Sequence, residues 1–303
     1  MPRPTIDVCI ATYRRPALLR ALIASVAAQE TEGRFEVTIC LADNDPGQSA
    51  RPVAEDLSDR VPIRYAIQPE KSISITRNLS LSLGNGELVA IVDDDEDVPA
   101  TWLLSHVRAL AEFGAECSHG PVVAVFPEGA PGYLARSGLF GSIQNPESGA
   151  TDGFIPSTNN CLFHRSVLSR LDHLFDESFG LTGGEDAELF QRLRLAGTRS
   201  IWCREAGITT VVPKERASLR WLVLRRYRTG ITWARRMKMH EEDGYRRACR
   251  VRPRLLLRNA AILPAALAMA PWDPGRLWDL VRDLPFDVGV LASRYGAEYK
   301  EYA

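Results

Sequence analysis

Hydrophobic and polar positions change period several times along the first hundred residues. Leu88–Val92 is an unbroken apolar run bounded by Gly86 and Pro99, and it reads as a strand buried on both faces. Shorter apolar runs over residues 6–10, 35–41 and 63–67 predict three more strands. Between them the spacing turns helical. Pro16 opens a helix with Leu18, Leu19, Leu22, Ile23 and Val26 on one face, and a second, over residues 74–83, stops at Gly84, Asn85 and Gly86. A β-α-β-α order of this kind implies a parallel sheet with helices on both faces. Further on, the pattern predicts a helix over Trp102–Phe113, an irregular Gly- and Pro-rich stretch over 120–153 containing a strand-like 122–126, and renewed order over 160–171. Helices follow over 185–196, stopped by Gly197, and over 218–239. We divide the chain at this point, into an α/β unit of residues 1–217 and a helical region of residues 218–303.

Directly after Leu88–Val92 come Asp93, Asp94, Asp95, Glu96 and Asp97. Carboxylates crowded at the carboxyl end of a buried strand repel one another, and a hard divalent cation relieves that repulsion. The carboxyl edge of a parallel sheet is also where open α/β folds bind ligands. A solvated acidic turn is the plainer alternative. Two more acidic positions occupy comparable places: Asp43 ends the second strand, and Glu185-Asp186 follows Gly183-Gly184 at the start of a helix. Paired glycines let the backbone approach a ligand, while acids in a first helical turn are also ordinary capping.

Charge sharpens the division. Residues 1–190 hold 14 Lys+Arg against 27 Asp+Glu, and residues 191–303 hold 23 against 11, within a net charge of −1. The acidic half suits a metal site and the basic half an anionic partner. The six cysteines are scattered without zinc or C-x-x-C spacing, several in apolar runs, so buried thiols in a reducing compartment are expected. The five histidines form no ligand pair. The start of the chain leads straight into a strand, which predicts no secretory signal. The longest apolar stretch, residues 255–271, is interrupted by Arg258, Asn259 and Pro264, which argues against a simple membrane span.

Several motifs in order resemble family 2 of the nucleotide-sugar glycosyltransferases: Ile10 to Pro16, Ala42 to Pro46, Thr76-Arg77-Asn78, Val92 to Asp95, Asn159-Asn160 with Arg165, and Gly184-Glu185-Asp186. The resemblance runs from about Ile6 to Gly230. Its last part, Val212-Pro213 through Arg216, Trp221 and Arg226 to Gly230, looks most like bacterial transferases of exopolysaccharide and other surface glycans. It implies a GT-A fold, a Rossmann-like mixed α/β sheet flanked by helices, here with a basic helical C-terminal extension. It also implies an inverting transfer from a UDP-sugar with Mn²⁺ or Mg²⁺.

Carried over by position, the resemblance places Thr12, Tyr13 and Arg15 at the nucleotide, and Asp43 as acceptor of the uracil N3–H. It places Arg77 on the nucleotide, Asp93 or Asp94 at the ribose, Asp95 with Asp93 at the cation, and Asn160 near the donor sugar or acceptor. Asp186 matches the general base and Glu185 a group orienting the acceptor, while Arg216, Arg226 and Trp221 are candidates for phosphate or acceptor contact. The chain departs from the family near Thr210, where many members carry a metal- or nucleotide-contacting His or Glu. It also lacks the Q-x-x-R-W signature of processive synthases, since Arg220-Trp221 has no such glutamine, so a single sugar addition is expected.

The arginines of 225–238, interleaved with Trp221, Tyr227 and Trp233, look like an interfacial helix that meets a lipid-diphosphate-linked acceptor or glycan at the inner face of the cytoplasmic membrane. Closure of these arginines over the donor diphosphate is the alternative. A nucleotidyltransferase would want a glycine-rich phosphate loop after the first strand, and residues 11–16 contain no glycine. A nucleic-acid-binding protein would explain the basic half but not the acidic strand end, so no nucleic acid is expected as partner.

Overall fold

The computed structural model describes residues 3–136, 140–141, 145–272 and 275–300. Its centre is a seven-stranded sheet in the order β3-β2-β1-β4-β8-β6-β9. The strands β1 (Thr5–Thr12), β2 (Glu36–Asp43), β3 (Ile63–Ile67) and β4 (Leu88–Val92) run parallel, joined by helices α1 (Pro16–Ala27), α2 (Arg51–Leu57) and α3 (Ile73–Ser82). These are the strands that the apolar runs predicted. All five residues of β4 are buried, as a strand covered by helices on both faces requires. Helix α1 has Pro16 in its first turn and buries Leu19, Leu22, Ile23 and Val26, the face its spacing marks out.

Beyond β4 the sheet becomes mixed. A two-residue strand β5 (Glu96–Asp97) and helix α4 (Trp102–Phe113) lead to β6 (Cys117–His119) and β7 (Val122–Val125). After a one-turn helix α5 (Tyr133–Arg136), β8 (Asn160–His164) inserts antiparallel between β4 and β6, with Val92 opposite Asn160. Helix α6 (Glu185–Leu195) follows, then β9 (Ser200–Trp202), parallel to β6, and β10 (Ile208–Val211). The second sheet, β5-β10-β7, is small and sits at the carboxyl end of β4, where the acidic residues emerge.

The remainder is helical: α7 (Leu219–His240), α8 (Glu242–Met269) and α9 (Gly275–Ala292). Helices α7 and α9 cross at two glycines. A methyl group added to Gly230 would run into the carbonyl oxygen of Phe286, and one added to Gly289 into that of Tyr227, so only hydrogen permits this approach. Helix α7 also ties to the α/β part, where Arg236 donates to Gln191 at 2.7 Å and His240 meets Glu188 at 2.8 Å. All six cysteines are buried and free. Among the described residues, no helix is long and apolar enough to cross a membrane.

The expected interfacial character of residues 218–239 needs correction. Arg235 lies 4.3 Å over the Phe179 ring and donates to Ser178, while Trp233 packs on Phe286 with Arg252 over its face. Trp233 and Arg235 of α7 thus face other parts of the protein, while Arg220 and Lys238 are exposed. The outward basic and apolar face belongs to α8 instead, where Arg250, Arg254, Leu257 and Arg258 are exposed at helical spacing, with Trp272 just beyond.

Candidate active site

A cleft of about 620 Å³ opens at the carboxyl ends of β1 and β4 and is closed from the other side by α6 and α7. Its acidic wall is built by the turn after β4. Thr12, at the end of β1, donates to Asp94 Oδ2 at 2.7 Å. Arg15 bridges Asp94 Oδ1 at 3.0 Å and Asp95 Oδ2 at 2.9 Å. Arg77 of α3 pairs with Asp93 at 2.9 Å and stands 3.6 Å from Glu185 Oε1. Burial, opposed by Arg15, pushes the Asp94 carboxyl up to about 6. Glu96 is pushed well above its ordinary range by burial and then by the charges of Asp93 and Asp95.

Tyr13 stands at the rim with Lys71 5.4 Å over its ring, and both line the cleft. Asp93, Asp94, Asp95, Arg15 and Arg77 line it as well. Opposite them, Gly183 and Gly184 adopt φ values of 71° and 96°, which only glycine reaches without strain, and turn the chain sharply into α6. A Cβ on Gly184 would stand 3.0 Å from Thr232 of α7, so the turn also permits that helix to pack close. Asp186 and Glu185 are thereby presented to the cleft from the first turn of α6. Asp186 Oδ1 accepts from the Ala187 N–H at 2.7 Å. Glu185 is buried beside Arg77, and burial raises its carboxyl to about 7 against the pull of that guanidinium.

The basic wall comes from the segment before α7 and from one face of that helix. Arg216, Trp221, Arg225, Arg228, Thr229 and Thr232 all line the cleft. Trp221 stacks on Phe140 at 5.1 Å, and Arg225 lies 5.1 Å from the same ring. Trp221 thus positions a guanidinium by cation–π contact rather than offering an open stacking face.

Three expected positions fall elsewhere. Asn160 is buried behind the cleft: its Oδ1 accepts from Trp102 and His106, and its Nδ2 donates to the Pro121 and Ala206 carbonyls. Those four bonds exhaust its capacity, so it reaches no ligand. Asp43 is fully buried and accepts from the Asp45 and Ala50 N–H groups and the Tyr65 hydroxyl, which makes it the organiser of the turn after β2. Arg226 points away from the cleft to α9, donating to the Arg282 carbonyl at 2.8 Å and lying 4.7 Å over Phe286.

In their place the structure brings in Glu96, Asn159, Arg225, Arg228, Thr232 and Phe154. The helical spacing of Trp221, Arg225, Arg228 and Thr232 could have flagged that face. Nothing in the sequence preferred Asn159 to Asn160.

The donor set suits a hard divalent cation, since Asp93 and Asp95 offer carboxylate oxygens on the cleft wall and the Asp93 side chain keeps 40% exposure. Thr210, near the position where the resemblance implies a His or Glu contact to metal or nucleotide in many members, lies in β10 directly opposite Glu96 in β5. Elsewhere, the ligand atoms of His173, Asp176 and Glu188 converge within 4.8 Å. Arg192 and His240 already occupy that Glu188, which marks the trio as part of the helix packing.

Comparison with known proteins agrees with this geometry. The family model described as glycosyl transferase family 2 matches residues 7–172. The succinoglycan biosynthesis protein ExoM of Rhizobium meliloti (strain 1021) is 38% identical over 239 residues, which cover 78% of this chain and 76% of that protein. Among solved structures, the mannosyltransferase PcManGT of Pyrobaculum calidifontis, in complex with GDP-Man and Mn²⁺, superposes with a TM-score of 0.66 at 16% identity, covering 98% of this chain and 89% of that one. S. aureus TarS 1–349 in complex with UDP-GlcNAc gives 0.54 at 15% identity, over 97% and 93%. These two share the fold, and the family match and the relative carry the rest: the chain belongs to glycosyl transferase family 2 and is a glycosyltransferase of GT-A fold.

Proposed function

We infer that this enzyme transfers a single hexose or hexuronic acid from a UDP-sugar, with inversion, to a glycan or lipid-diphosphate-linked acceptor in the assembly of a bacterial polysaccharide. The observation that carries this reading is the opposition of two walls across one cleft. The carboxylates at the end of β4 face Asp186 at the start of α6 and the guanidinium groups of α7. An inverting displacement needs a base on the acceptor hydroxyl and stabilisation of the departing diphosphate on the opposite face.

In this reading Tyr13 and Lys71 form the rim that receives the nucleoside. Arg77 holds Asp93 and steadies Glu185. Asp186 accepts the proton of the acceptor hydroxyl, and Glu185 orients that acceptor. Arg216, Arg225 and Arg228 place positive charge where the diphosphate leaves. A divalent cation, Mn²⁺ or Mg²⁺, held by Asp93 and Asp95, would neutralise charge on that diphosphate.

The uridine preference rests on the family resemblance, because Asp43 supports the turn beside the cleft and does not open into it. We place the enzyme in the cytoplasm, peripheral on the inner face of the membrane, through the outward face of α8. The arginines there suit anionic headgroups, and Leu257 and Trp272, 74% and 78% exposed, supply apolar depth.

A thermal-shift comparison of uridine, guanosine and thymidine diphosphate sugars, each with and without Mn²⁺, tests the donor reading. Ligands that bind the native state raise Tm. A uridine donor should give the largest shift, and only with Mn²⁺. A larger shift with a guanosine donor, or none with any, overturns it.

A further inference from the structure

One carboxylate in the cleft has no part in the scheme above. Glu96 is 5% exposed and lines the cleft. Its Oε1 accepts from Asn159 Nδ2 at 3.1 Å. Its Oε2 is buried and has no hydrogen-bond partner among the described residues. The neighbouring acids differ, since Asp93 is met by Arg77 and Asp95 by Arg15, while no ion pair to Glu96 is present among the described residues. A buried acceptor left without a donor costs ~1–3 kcal/mol, and more when it is charged. Such an atom in a native fold calls for a partner, an ordered water, an ion or a ligand.

We propose that Glu96 supplies a third carboxylate to the divalent cation held by Asp93 and Asp95, its Oε2 being the atom that binds. The inference rests on the cation-dependent reading above and deepens it. A sugar hydroxyl could donate to Oε2, but it would offset none of the charge of Asp93 and Asp95 beside it. A divalent cation satisfies the orphaned oxygen and offsets that charge together. Loading must draw Asp93 and Asp95 away from Arg77 and Arg15, whereas Oε2 has no partner among the described residues to give up. The register adds a reason for this position: Glu96 pairs across the small sheet with Thr210, whose neutral hydroxyl contributes no charge of its own.

The test compares wild type, Glu96→Gln and Asp95→Asn as full chains. Mn²⁺ affinity is read in the presence of UDP by the electron paramagnetic resonance of free Mn²⁺, and Tm is read in chelator. Glu96→Gln should weaken Mn²⁺ binding by at least roughly tenfold, the loss usual for even an outer-shell partner of a metal site. Its Tm in chelator should equal or exceed that of wild type, because the substitution removes a buried carboxyl oxygen that no donor meets among the described residues. A purely structural glutamate would give the reverse, lower metal-free stability with unchanged Mn²⁺ affinity. If Asp95→Asn loses Mn²⁺ and Glu96→Gln binds it as wild type does, the proposal fails and the cation reading stands. If both variants bind Mn²⁺ normally, the cation reading fails and takes the proposal with it. Failure of Glu96→Gln to fold in chelator also overturns it, since the Oε2 atom would then carry a structural load.

Discussion

Asn160 shows how an adjacent pair of identical residues divides its duties. With Oδ1 and Nδ2 both saturated by Trp102, His106, Pro121 and Ala206, it joins α4, β8 and the segments around β7 and β10. Because Nδ2 donates to two carbonyls, Oδ1 must accept, so His106 carries its proton on Nε2. Burial holds that imidazole neutral, its pKa lowered to about 4. Asn160→Ala should therefore destabilise the protein by at least ~3 kcal/mol, as buried partners left unmet cost ~1–3 kcal/mol each. Urea denaturation measures this, and a loss below ~1 kcal/mol contradicts the assignment. Glu185 gives a pH prediction. Its folded-state pKa of about 7 lies above its unfolded value near 4.3, so the folded protein holds a proton that the unfolded chain releases between those values. That contribution to stability is complete below the unfolded pKa and is lost as pH rises toward 7. Glu185→Gln should melt above wild type at pH 8, with the gap closing by pH 4. A gap that stays constant with pH would show that Glu185 does not ionise differently on folding.

At the scale of elements, the crossing of α7 and α9 decides where the basic wall stands. Gly230 and Gly289 bring the two backbones together, and Arg226 is drawn to α9 while Arg225 and Arg228 are left on the cleft face. Gly230→Ala should cost ~1–3 kcal/mol by overpacking and weaken UDP binding as α7 moves. Stability and affinity both equal to wild type in denaturation and calorimetry would mean that the crossing does not set the wall. The sequence showed part of this architecture. The strands β1 to β4 were legible because each is an apolar run set off by turn residues. The strands β6, β9 and β10 span only three or four residues, too few for a period, and they exist because distant segments pair with them. The antiparallel entry of β8 left no mark in its own residues. Acidity marked the cleft wall after β4, since five carboxylates in a row cannot pass as core. The fates of Asp43 and Asn160 depended on neighbours far away in sequence, and no local pattern could tell a ligand contact from a buried hub.

Across the whole molecule, the acidic and basic halves meet at the cleft, and the charge that the cleft does not use is displayed on α8. Replacing Arg250, Arg254 and Arg258 together by glutamate should weaken binding to anionic liposomes by about two orders of magnitude or more, at ~1 kcal/mol for each arginine lost near the surface. Neutral liposomes should respond little, and nucleotide binding should not change. Co-sedimentation measures this, and unchanged binding to anionic vesicles would remove α8 as the docking face. The central claim is that the two walls form a displacement site with Asp186 as its base. Its most direct test is sugar transfer at saturating donor by Asp186→Asn, with Glu185→Gln run in parallel. The amide keeps the shape of Asp186 but cannot accept a proton, so turnover should fall by ~10²–10⁴-fold while donor and Mn²⁺ bind nearly as before. An active Asp186→Asn beside a dead Glu185→Gln would move the base to Glu185, and two active variants would contradict the account.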